Sequence, residues 1–182
     1  MILNRAYIKL EDKTYRNNIN TLLSDSFEDV DVDWNDNIGK ISAIDEYSFQ
    51  LILSNILVLS IQDLNIKVSI IIVPYFEGIF IKYLDHSYNK ISTVFDIFVK
   101  NIDDPQVKKD MDIIYNSFEK KDLDTIKAFL YCNQNSKLAA KQLFLHRNSF
   151  NYRLNQFMHK TSIDIRDYNS LLFLSLLIAY CG

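Results

Sequence analysis

The residues best equipped for chemistry sit together between Asn135 and Phe157, in the stretch NSKLAAKQLFLHRNSFNYRLNQF. Lys137, Lys141, His146, Arg147, Asn148, Ser149, Asn151, Tyr152 and Arg153 crowd into it, and Lys160 follows. Arginine can form two parallel hydrogen bonds to guanine, asparagine can do the same to adenine, and Ser, Tyr and Lys bond phosphate oxygens. These residue types suit a nucleic-acid partner better than a reaction. No Ser/His/Asp or Cys/His arrangement is recognisable, so no catalytic residue and no enzyme activity are expected. His86, His146 and His159 have no Cys or carboxylate at a metal-ligand spacing, and neither a metal nor a cofactor is expected. His146 reads as a helix cap or a phosphate contact, and His159 as a surface residue. Cys132 and Cys181 stand outside any CxxC pattern and read as inert thiols.

To present such residues to a duplex, the segment has to fold as a helix pair. Asp122 is expected to start one helix, with Leu123, Ile126, Phe129 and Leu130 on its apolar face. Ser136 is a suitable N-cap for the next. Leu138, Ala139, Ala140 and Leu143 are its apolar residues, the two alanines leave room for a close crossing, and it should end by Phe144. Phe144–His146 makes the turn. Arg147–Lys160 then reads as a second helix, with Phe150, Leu154 and Phe157 at i, i+4 and i+7. A short helix, a tight turn and a longer helix form the helix-turn-helix plan. Arg147, Asn148, Ser149, Asn151, Tyr152, Arg153 and Asn155 are left toward solvent. The first turn of the second helix adds unbonded backbone N–H groups and a positive dipole end.

Charge points the same way. The chain has 182 residues and a formal net charge of −3. Residues 126–182 hold seven basic and two acidic side chains, a net +5, which leaves −8 on residues 1–125. A basic end behind an acidic body suggests a polyanion partner for that end. At 48% hydrophobic and 24% charged, the chain is ordinary globular material rather than a disordered tail. The start, MILNRAYIKL, lacks the apolar core of a secretory signal. No apolar run reaches the roughly 18–20 residues of a membrane span. A soluble, cytoplasmic protein without membrane contact is the expectation.

The first hundred residues read as mixed α and β. RAYIKL at 5–10 is a short strand, and Tyr15, Ile19, Leu22 and Leu23 have helical spacing. EDVDVDW alternates acidic and apolar residues, IGKISAI continues after NDN, and the two form an expected hairpin turning near Asn35–Asn37. Asp45–Leu64 is expected as a long apolar helix, and IKVSIIIVP as a strand buried on both faces and ended by Pro74. Residues 75–99 are expected as a further helix. The order β-α-β-β-α-β is the ferredoxin-like arrangement. Asp104 and Pro105 look like the N-cap and first residue of a helix with Val107, Met111, Ile114 and Phe118 on one face. The expected fold class is thus α+β, with a ferredoxin-like domain at 1–103 and an all-α helix-turn-helix domain at 104–182.

The same residues carry a resemblance. LAAKQLFLHRNSFNYRLNQFMHKTSIDIRD resembles the C-terminal helix-turn-helix of the purine catabolism regulator (PucR) and sugar diacid regulator family, and more distantly the Fis-type helix pair. The family pattern LFVHRNTLRYRL is matched from Leu143 to Leu154, and Ser162–Asp167 is similar to the family's GLDLRD before a last apolar helix, here about Asn169–Tyr180. The resemblance covers about 55 residues. It implies that His146, Arg147, Asn148 and Ser149 open a recognition helix, with Tyr152 and Arg153 continuing its DNA side. Asn151 stands where the family usually has Arg, which removes about one charge and about one unit of salt slope. Ser162 stands where it usually has Gly, which makes the helix end harder to turn. The N-terminal order is similar to the core of GGDEF-type nucleotide cyclase domains. The hairpin WNDNIGK lacks their acidic signature, so a shortened, degenerate GGDEF-like domain is implied and cyclase activity is not.

The expected function is DNA-binding transcription regulation, with Arg147–Arg153 in the major groove of duplex DNA and Lys137, Lys141 and Lys160 on the backbone. One helix-turn-helix reads few bases, so a homodimer on a two-fold site is expected. The N-terminal domain would pair subunits or sense an unidentified small-molecule or protein effector. Two alternatives stand beside it. One is a protein-interaction module with a degenerate helix-turn-helix. The other is a small-molecule sensor that has lost DNA binding.

Overall fold

The computed structural model describes residues 3–44, 48–75, 77–86 and 88–182. The chain divides into two compact units, Met1–Lys100 and Asn101–Gly182. The first unit is β1 (Leu3–Leu10), a 3-10 turn (Lys13–Tyr15), α1 (Arg16–Ser26), β2 (Val30–Asn35), β3 (Ile38–Ile44), α2 (Phe49–Gln62), β4 (Val68–Val73), a 3-10 segment (Gly78–His86), β5 (Lys90–Thr93) and α3 (Val94–Lys100). The sheet order is β2-β3-β1-β4-β5. Neighbours among the first four strands pair antiparallel, and β5 runs parallel to β4.

Side-chain alternation fixes which way each strand faces. In β2, Val30, Val32 and Trp34 are half-buried while Asp31, Asp33 and Asn35 are exposed. Ala6, Ile8 and Leu10 of β1, Ile41 and Ala43 of β3, and Val68, Ile70 and Ile72 of β4 meet Ile19 and Leu23 of α1 and Phe49, Leu53 and Ile56 of α2 in one core. Every residue of β4 is buried, Ser69 among five aliphatic side chains, as in a strand covered on both faces. Trp34 lies across Gly39, where an added Cβ would stand 2.9 Å from its ring, so only glycine permits the approach. The indole N–H donates to Asn20 at 2.8 Å, and the Arg16 guanidinium stacks 5.9 Å from the ring centre.

Two sequence expectations change here. Residues 75–99 are not one helix: a 3-10 segment, strand β5 and helix α3 occupy them. Ile91, Ser92 and Thr93 pair with β4, and Thr93 then caps α3. Its hydroxyl accepts from Asp96 N (3.0 Å), while the Asp96 carboxylate accepts from Thr93 N (3.2 Å) and Oγ1 (2.8 Å), a reciprocal cap that delays the helix to Val94. The long apolar helix is described from Phe49, and its expected start at residues 45–47 lies outside the described residues.

The second unit is all helical: α4 (Pro105–Ser117), α5 (Lys120–Tyr131), α6 (Ser136–Gln142), α7 (Arg147–Thr161) and α8 (Tyr168–Cys181). Asp104 caps α4 through Gln106 N (2.8 Å) with Pro105 at its first position. Asp167 caps α8 through Ser170 N (2.8 Å). Among the described residues, no helix is long and apolar enough to cross a membrane.

Candidate nucleic-acid interface

The helix pair α6–α7 is held from inside by small and aromatic residues. Ala139 and Ala140 of α6 are buried, as are Phe150, Leu154 and Phe157 of α7. Phe150 packs 6.3 Å from Phe129 of α5, and Phe157 packs edge-on to Phe118 at 5.6 Å. Phe118 follows α4, and it is half-buried. These contacts fix the rotation of α7.

That rotation sorts the polar residues. At about 100° per residue, Phe150, Leu154 and Phe157 define the inner side, Asn148, Asn151, Tyr152 and Asn155 fall on an outer arc of roughly 100°, and Arg147, three residues before Phe150, lies on its edge toward the core. Arg147, Asn148, Tyr152 and Asn155 are exposed, and Asn151 is half-buried. Arg153 lies on the flank beside the core and is half-buried. Ser149 is exposed on the opposite flank in the first turn. Asn155 was seen in sequence as solvent-facing but not as a candidate. Its place four residues after Asn151 and seven after Asn148 is the signal that puts it on the same arc.

Both helix starts are capped by side chains. His146 is the N-cap of α7, its Nδ1 accepting from Asn148 N at 3.2 Å. For α6 the cap is Asn135, not the expected Ser136. Asn135 Oδ1 accepts from Lys137 N (3.0 Å) and Leu138 N (3.2 Å), and Ser136 is the first helical residue. Both residues are cap types, and the extended backbone of Asn135 decides between them.

The turns use left-handed residues without glycine. Asn133 and Gln134 have φ of 49° and 61° between α5 and α6, Phe144 has 55° between α6 and α7, and Ser162 has 61° at the end of α7. Asparagine tolerates this region, whereas for other side chains it costs roughly 1–2 kcal/mol.

Electrostatically, the basic residues fall into two groups. Lys160 bonds Glu119 and lies 3.6 Å from Asp122, which ties the end of α7 to the start of α5. The contact holds the Glu119 carboxyl below its usual range and raises the Lys160 ammonium. Arg166 grips Asp164 through two bonds of 2.8 and 2.7 Å, and Lys127 lies 5.6 Å from the centre of the Tyr115 ring. Among the described residues, Lys137, Lys141, Arg147 and Arg153 meet no carboxylate. The Tyr152 hydroxyl accepts from Gln156 Nε2 at 2.7 Å, which orients the phenol along the outer arc. His159 is exposed near the end of α7. Among the described residues, no three His, Cys, Asp or Glu side chains are grouped to hold a metal.

Comparison with known proteins bears on this same segment. Residues 122–179 match the PucR C-terminal helix-turn-helix domain. The chain is 48% identical over 48 residues to the uncharacterized protein YxkF of Bacillus subtilis, a stretch covering 26% of this chain and 16% of that protein. It is 44% identical over 48 residues to the proline-responsive transcriptional activator PutR of Bacillus subtilis, covering 26% of this chain and 12% of PutR. The matched stretch is thus a small part of either curated relative. A solved structure, a regulator of polyketide synthase expression from Bifidobacterium adolescentis, is similar over 99% of this chain and 81% of its own, at 12% identity and a TM-score of 0.45. Of the two curated relatives, the one whose name states a role, PutR, is a transcriptional activator.

Proposed function

We propose that the chain is a cytoplasmic transcription regulator whose C-terminal unit binds duplex DNA. The observation that carries this is the coincidence of two things in one segment. Residues 122–179 match a PucR-type helix-turn-helix, and four cations in that segment, Lys137, Lys141, Arg147 and Arg153, have no carboxylate partner among the described residues. Unpaired cations next to exposed amides and hydroxyls suit a phosphate backbone and base edges. In this reading α7 enters the major groove. Arg147, Asn148, Asn151 and Tyr152 face base edges with Asn155 beside them, while His146 and Ser149 place the first turn against a phosphate. Lys137, Lys141 and Arg153 hold the backbone. Lys160 keeps a smaller share, because Glu119 and Asp122 already offset its charge.

The N-terminal unit is proposed as a ferredoxin-like, degenerate GGDEF-like domain spanning about residues 1–103. The antiparallel order β2-β3-β1-β4, with α1 and α2 packed on one face, supports this. The β2–β3 turn offers no acidic cluster for nucleotide chemistry, and its Asp36 lies 3.3 Å from Lys13 and 3.7 Å from Arg16. Subunit pairing, or sensing of a small-molecule or protein effector, fits such a domain. An effector would be sought first in the open groove between α1 and α2, about 390 Å³, lined by Asn17, Asn18, Thr21 and Asp63.

Selection from a random-sequence duplex pool, followed by footprinting of the enriched sites, tests the proposal. A two-fold symmetric site with half-sites about 10 base pairs apart is expected of a homodimer. Failure to enrich any sequence, together with capture of a protein through the α7 face, would favour the interaction module instead. That rival draws support from Asn151 in place of a cation and from the pairing of Lys160.

A further inference from the structure

Phe144 is the most exposed large apolar side chain among the described residues, 97% accessible, and it stands in the α6–α7 turn with φ of 55°. Both properties work against the folded state. The left-handed backbone favours glycine, and an accessible ring gains nothing from burial. The turn itself makes no use of the side chain. Its shape comes from backbone bonds, Phe144 N to Lys141 O at 3.1 Å and Leu145 N to Ala140 O at 2.8 Å. Folding alone would therefore select glycine here, and a phenylalanine calls for a contact outside the chain.

The neighbours state the chemistry of that contact. Lys141 and Arg147 stand three residues to either side, and neither meets a carboxylate among the described residues. Along the chain, an exposed ring thus stands between two cations. A DNA strand offers the matching pattern, apolar sugar faces alternating with phosphates. We propose that Phe144 lays its ring on a deoxyribose of the strand whose phosphates Lys141 and Arg147 hold. This inference rests on the DNA-binding reading above. A sugar contact adds affinity without reading sequence and without releasing counterions.

The experiment is fluorescence anisotropy of the full chain on two labelled duplexes of unrelated sequence, across a salt series, with melting curves of each variant. Phe144→Ala and Phe144→Gly are compared with wild type and with Lys141→Ala. The expected result for both Phe144 variants is about a tenfold loss of affinity, equal on the two duplexes and with the salt slope unchanged. Phe144→Gly should meanwhile melt higher than wild type by roughly 2–4 °C, so that binding and stability move in opposite directions. Lys141→Ala should lower the salt slope by about one. Unchanged affinity in Phe144→Ala beside a binding wild type overturns this inference alone. So does a loss confined to a thymine-bearing duplex and abolished by replacing thymine with uracil, which would assign the ring to a base methyl. A lower melting point for Phe144→Gly would assign the ring to the fold. Absence of wild-type binding at low salt overturns the DNA-binding reading and this inference with it.

Discussion

Replacing Phe150 with alanine tests the rotation of α7, on which the whole assignment of its outer arc depends. Phe150 is fully buried, and its ring packs against Phe129. Losing the burial of an aromatic side chain costs roughly 1.5–3 kcal/mol. The cavity left behind raises the total to about 3–5 kcal/mol, which includes the roughly 0.5–1.5 kcal/mol of the ring pair. Domains are stabilised by only about 5–15 kcal/mol in all, so this substitution removes a large share. The assay is equilibrium urea unfolding followed by far-UV circular dichroism, which the helices of the second unit dominate. Asn151→Ala and Asn155→Ala serve as outward-facing controls, each expected within about 0.5 kcal/mol of wild type. A loss below about 1.5 kcal/mol for Phe150→Ala, with a larger one for either asparagine, would mean that α7 is rotated and its outer arc is wrongly assigned.

Asn135→Ala should cost about 1 kcal/mol in the same unfolding assay and Ser136→Ala only a few tenths, because the amide of Asn135 carries the cap of α6. Equal losses would return the cap to Ser136. The Glu119–Lys160 contact predicts a pH profile. Glu119 is depressed when folded, so its contribution is present above its unfolded pKa of about 4.3 and is lost as pH falls through the folded value. Lys160 is raised, so its contribution is lost only at alkaline pH, as pH climbs through its folded value. Melting temperature against pH at low salt should therefore show a small acid-side drop that Glu119→Gln flattens, and an unaltered profile in that variant would refute the link. Burial, helped by the Asp112 carboxylate, pushes the Cys181 thiol up to about 11. In a Cys132→Ser background, iodoacetamide at pH 8 should meet only about a thousandth of it as thiolate, and alkylation as fast as that of a free thiol would contradict this.

Much of α7 was legible because three large apolar residues at i, i+4 and i+7 state a helix, its period and its inner face at once. The same holds for the β2–β3 hairpin, where alternating Asp and Val mark two faces and a two-residue loop joins the strands. What was not legible shares a cause. Beta-branched residues such as Ile91 suit strands and buried helices alike, so the short β5 emerged only once β4 was there to pair with it. Asn135 and Ser136 are both good caps, and only backbone direction separates them. Arg147 and Arg153 stand three residues before and after Phe150, so the helical turn carries both to the flanks of the core, where Arg147 is exposed and Arg153 half-buried. The conformation of the α6–α7 turn was hidden because no glycine marks it, and the left-handed residue there is Phe144.

The most direct test is salt-titrated fluorescence anisotropy of the full chain on mixed-sequence duplex DNA, beside the Arg147→Ala/Arg153→Ala double variant. The account predicts wild-type binding at low salt that weakens steeply as salt rises, and a variant that binds far more weakly with a slope smaller by about two units. A wild-type protein that is folded by circular dichroism yet binds no duplex at low salt, or a double variant that binds as well as wild type, would contradict it.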